Sequence, residues 1–73
     1  ECTQARVALA VAYARLGRLG DAEKNLRTAI KSGSAGPLAY EILASVLHQE
    51  AGREAEARNA LERARQFRNA APR

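Results

Sequence analysis

The 73-residue sequence has no methionine and no tryptophan, a single cysteine, two prolines and only three aromatic side chains, Tyr13, Tyr40 and Phe67. Each scarcity excludes something. Cys2 cannot close an internal disulfide, and no other Cys or His stands at metal-ligand spacing from it, so no crosslink or metal staples the fold. The unpaired thiol fits a reducing, cytoplasmic compartment. The longest apolar run is "VALAVAYA", residues 7–14, well short of the roughly 18 residues that a membrane span requires. No signal-peptide layout is present, and a chain that opens on Glu1 without any methionine reads as a segment of a longer protein.

Runs of alternating β-branched residues are missing too, and the prolines stand only at 37 and 72. Alanine supplies much of the 47% apolar content. Together these predict an all-α domain of thin, closely approaching helices. At this length a single domain, residues 1–73, is the most the chain can form, since so small a fold buries only about 60% of its unfolded surface.

What the sequence does contain is a repeat. "GRLGDAEKNLRTAI" at 17–30 returns as "GREAEARNALERAR" at 52–65. A shift of 35 residues superposes Val11 on Val46, Gly17 on Gly52, Ala22 on Ala57, Leu26 on Leu61 and Ala29 on Ala64. Val7 then meets Ile42, Asp21 meets Glu56 and Tyr13 meets His48. Periods of this length signal stacked supersecondary units.

Gly17 and Gly52 each follow an apolar helical run and suit the left-handed residue that ends a helix. Asp21 with Glu23, and Glu54 with Glu56, then fall in first turns, where the helix dipole favours acids. Each unit therefore reads as helix, turn, helix. Between units, "SGSAGP" at 32–37 is a stop and a restart, with Pro37 at a first helical position. The predicted helices span residues 3–16, 20–32, 37–51 and 54–68, with Glu23–Arg27 and Glu54–Arg58 as acid-first pairs on solvated faces.

The second helices carry one apolar stripe each: Ala22, Leu26, Ala29 and Ile30, then Ala57, Ala60, Leu61, Ala64 and Phe67. The first helices carry two. On the first, Val7, Val11 and Ala14 lie on one side, and Leu9, Ala10, Tyr13 and Leu16 on another. On the third, Ile42, Val46 and Gln49 form one side, with Leu43, Ala44, Leu47 and His48 on the others. One stripe can face the partner helix, which leaves the other to face something else.

These residues resemble a pair of tetratricopeptide repeats, whose signature runs W-x2-L-G-x2-Y, A-x3-F, A and P. The match in the first unit is Arg6, Leu9, Ala10, Tyr13, Gly17, Ala22, Leu26 and Ala29. In the second it is Glu41, Ala44, Ser45, His48, Gly52, Ala57, Leu61 and Ala64. Arg6 and Glu41 replace the usual large aromatic, and the usual proline is displaced to Pro37, so both repeats are divergent. The resemblance covers residues 4–67, with repeat one at about 3–34, repeat two at about 36–68 and a basic tail at 69–73.

The resemblance implies a four-helix antiparallel α-solenoid fragment that binds protein segments in a concave groove. By position the groove would be formed by Gln4, Val7, Val11 and Ala14 from the first unit and by Ala39, Ile42, Val46 and Gln49 from the second. Arg15 and Glu50 add to the rim. Some family members clamp a terminal carboxylate with basic residues, but Val7, Val11 and Leu43 stand where such a clamp begins, so an apolar ligand is expected. The alternatives are self-association through the same stripe, or packing of that stripe against neighbouring repeats of a longer array.

Two other readings carry less. From Arg63 onward there are four Arg and no acid, a pattern that suits phosphate contact. Yet no aromatic platform for stacking bases accompanies it. An enzyme is not expected: His48 occupies a helix-packing position, Cys2 sits at the chain end, and no nucleophile and base can be paired. No cofactor or metal is implied. Arg6 and Glu41, at equivalent positions, are expected to pair across the first helices.

Overall fold

The computed structural model describes residues 3–33 and 36–70. Among them the chain is all-helical: α1 is Thr3–Arg15, α2 is Leu19–Lys31, α3 is Pro37–Gln49 and α4 is Glu54–Ala70. Cys2 and Arg73 lie outside the described residues.

The breaks fall where the glycines put them. Gly17 adopts φ 80°, and around it the Arg18 N–H reaches the Tyr13 carbonyl at 2.9 Å while the Gly17 N–H reaches that of Ala14 at 3.1 Å. This double bond is the Schellman closure, which satisfies two of the carbonyls that a helix end leaves open. Gly52 takes φ 83° in the equivalent turn. There α3 ends at Gln49, earlier than the sequence reading placed it, because Glu50 is already extended at φ −97° and ψ 125°. Pro37 opens α3 at its first turn behind Gly36, while α4 continues to Ala70 and takes part of the basic tail into the helix.

Each helix packs on the next in sequence, and α1 also touches α3. The α3–α4 pair is antiparallel, since Tyr40 at the start of α3 meets Phe67 near the end of α4, with ring centroids 5.4 Å apart. The three-residue turn from α1 to α2 likewise returns the chain alongside itself. Alanine dominates the buried set, with Ala10, Ala22, Ala29, Ala39, Ala44, Ala57, Ala60 and Ala64 at the contacts and Leu26, Leu43, Val46 and Leu47 filling between them. Small side chains at these points let helix axes approach, and the larger ones occupy the space left over.

The apolar surface of α1 goes right round the helix, and only part of it is covered. Val7, Ala10, Tyr13 and Ala14 join or border the core. Leu9 and Leu16, expected beside Ala10 and Tyr13 against the partner helix, stay exposed. A similar correction applies to His48: it is solvent-exposed rather than packed.

Candidate functional site

Two helices, α1 and α3, line a groove of about 540 Å³. Val11 and Ala14 come from α1, and Ile42 with Val46 from α3; Arg15, Glu41, Ser45 and Gln49 form the walls. The equivalence found by the 35-residue shift accounts for this, because Val11 and Val46 occupy matching places on the two helices that meet here. Both lie about one helical turn from another apolar residue on the same face, Ala14 and Ile42.

Not every expected groove residue reaches the opening. Val46 and Ala39 are each 1% exposed, so Val46 is the floor of the groove and Ala39 belongs to the core. Val7 is half-buried against that core and does not line the groove. Gln4 lies in the first turn of α1, but its side chain is outside the described residues. Glu50 turns away and pairs with Arg53 at 2.8 Å. The accessible apolar contacts are therefore Val11, Ala14 and Ile42.

Glu41 does not pair with Arg6. Its carboxylate accepts a hydrogen bond from Arg68 Nε at 2.8 Å, and Arg68 Nη2 donates to the same oxygen. That pair ties the end of α4 to the start of α3 and places one of the clustered arginines against protein. The ion pairs among the described residues confirm Glu23–Arg27 at 2.8 Å, whereas Glu54 and Arg58 do not pair with each other.

The densest polar contact was not legible in the sequence. Arg53, in the turn before α4, forks onto Glu23 of α2, with Nη1 to Oε1 at 2.7 Å and Nη2 to Oε2 at 3.0 Å. It also reaches Glu50 at 2.8 Å and Glu56 at 2.7 Å. Hydrogen bonds from Arg53, seconded by Arg27, hold the Glu23 carboxyl below its ordinary range despite partial burial. The Glu56 carboxyl is lowered chiefly by Arg53, and the Arg53 guanidinium is raised in turn, by Glu56 first and then Glu23. The turn residue Arg18 repeats the local half of this pattern, pairing with Asp21 at 2.8 Å and lying 5.1 Å from the Tyr13 ring centre. What the shift could not supply was Glu23, whose contact with Arg53 spans thirty residues and exists only once the chain has folded.

Two further depressions flank α3. One, of about 400 Å³, is rimmed by Arg27, Lys31, Glu56 and Arg63 over Ile30 and Tyr40. The other, of about 560 Å³, lies between α3 and α4 and includes Ala44, His48, Ala57, Arg58 and Leu61. No group of three or more His, Cys, Asp or Glu placed to hold a metal ion occurs among the described residues, and no helix among them is long and apolar enough to cross a membrane. No family model, curated protein or solved structure matches the chain.

Proposed function

We propose that the chain is a protein-interaction module built from two tetratricopeptide-like repeats, which takes an apolar peptide or helix segment in the α1–α3 groove. The observation that carries this reading is the convergence of Val11, Ala14 and Ile42 on one open groove whose walls, Arg15, Ser45 and Gln49, are polar. An apolar floor with a polar rim is the arrangement in which burial supplies affinity and the rim sets register. The groove offers no paired nucleophile and base, and the reading is one of binding. The repeat assignment rests on the twofold Gly-x4-Ala-x3-Leu-x2-Ala string and on the matching placement of Gly17 with Gly52, both at positive φ.

Selection of random peptides on the full chain tests it, followed by amide chemical-shift mapping of the tightest binders. Apolar peptides that shift Val11, Ala14, Ile42 and Gln49 are expected, with binding lost in Val11→Glu and weakened in Gln49→Glu. The second change lies at an exposed helical position and leaves folding intact. Binders indifferent to both substitutions would overturn the assignment of this groove.

A further inference from the structure

Helices α2 and α4 each pack on α3 but not on each other. A trough therefore runs between them with α3 as its floor, and it forms the depression of about 400 Å³. Leu43 and Leu47 of α3 are buried at its base, while Ile30 and Tyr40 are half-buried and border the opening. The Tyr40 ring is braced by Phe67, with centroids 5.4 Å apart.

The charges of this trough are unevenly matched. Four charged side chains line it: Arg27 and Lys31 from α2, with Glu56 and Arg63 from α4. At one end the latch of Arg53 on Glu23 bridges the two walls, and Glu56 pairs with Arg53 at 2.7 Å and with Arg27 at 3.6 Å. The acid of the lining is thus committed to cations already present. Lys31 and Arg63 are exposed and make no ion pair among the described residues. No acid stands three or four positions from Arg63 on α4, and the residues at those distances before Lys31 are Thr28 and Arg27. Arg27 and Lys31 are therefore like charges one turn apart, an arrangement that works against the helix and that an anion beside them relieves.

We propose that the α2–α4 trough binds an acidic peptide segment of a partner protein. An aromatic or branched aliphatic side chain of that segment sits over Ile30 and Tyr40, and carboxylates on either side of it meet Lys31 on one wall and Arg63 on the other. Charge complementarity selects the segment, and the apolar base supplies burial that a bare anion could not use. A nucleic-acid strand fits less well, since it calls for a continuous cationic track and open ring faces, whereas the trough offers two unmatched cations and one braced ring. The trough shares no lining residue with the α1–α3 groove, so this site stands whether or not that groove takes a ligand.

The test titrates the full chain with a short acetylated peptide that has a Phe-Leu core flanked by Asp and Glu, followed by amide chemical shifts. Shifts should centre on Ile30, Lys31, Tyr40, Asn59 and Arg63. Lys31→Glu combined with Arg63→Glu, both at exposed helical positions, should weaken binding at least about tenfold. Arg6→Glu combined with Arg65→Glu makes the same change in net charge at exposed positions outside the trough and should cost less than about threefold. Peptides with Asn and Gln in place of the acids, or with Gly-Ser in place of the core, should each bind more weakly. The proposal is overturned if the acidic peptide does not bind at about 1 mM, if both double variants weaken it equally, or if the shifts fall on Val11, Ala14 and Ile42. Equal binding of the peptide without its apolar core, or displacement of the acidic peptide by oligothymidylate at equal charge concentration, would also overturn it, the latter by making nucleic acid the occupant.

Discussion

Leu26→Ala and Leu61→Ala remove the same atoms from equivalent places in the two units, and the structure predicts unequal costs. Leu26 is 0% exposed, so its truncation loses the full transfer free energy and leaves a cavity in the core, a combination that costs about 3 kcal/mol. Leu61 is 50% exposed, and with half of its surface already in water and no enclosed cavity left behind, about 1 kcal/mol is expected. A chain of this length has a total stability of about 4–10 kcal/mol, so the first change removes a large share of it. Each kcal/mol moves the midpoint of a domain this small by about 4–8 °C, which places the Leu26→Ala midpoint well below that of Leu61→Ala. Thermal and urea unfolding followed by circular dichroism at 222 nm would separate the two readily. Equal losses would refute the claim that α2 is packed from two sides and α4, among the described residues, from one.

Acid should weaken the junction between units. Because the Glu23 carboxyl is held below its ordinary value of 4.5, chiefly by Arg53, its contribution is complete above that value, declines below it and is lost as the pH falls through the lowered value of the folded state. Glu23→Gln should cost about 1 kcal/mol at neutral pH, discounted for the exposure of Arg27, and flatten the acid limb of a midpoint-against-pH curve; an unchanged limb would remove Glu23 from the latch. Gly17→Ala should destabilise by about 1 kcal/mol in denaturant titration, through the left-handed backbone alone, because a methyl group there meets no atom within 4 Å. A neutral Gly17→Ala would mean that the turn does not hold its φ of 80° in solution. His48→Tyr should alter stability by no more than about 0.5 kcal/mol, since the side chain is exposed, and a large gain in melting temperature would restore it to the packed role that the sequence alone suggested.

Helix number and turn positions among the described residues were legible because local rules set them. Gly17, Gly52 and Pro37 punctuate the chain through backbone constraints that act within a few residues. The α1–α3 groove was legible in part, since the stripe at Val7, Val11 and Ala14 predicts a face but not its depth. Val46 shows why: it shares that stripe with Ile42, yet it is 1% exposed and belongs to the floor, a distinction set by how closely α3 lies to its neighbours. The expected Arg6–Glu41 pair failed for a related reason, because the end of α4 brings Arg68 to Glu41 first.

The sequence by itself determined the all-helical class and the four helices of the described residues, because periodicity, glycine and proline act locally. Only the tertiary structure decided which of two equivalent residues is buried and which charge meets which. Leu26 and Leu61 hold equivalent places in the repeat, and they differ in burial because α2 is packed by both α1 and α3, whereas α4 is packed, among the described residues, by α3 alone.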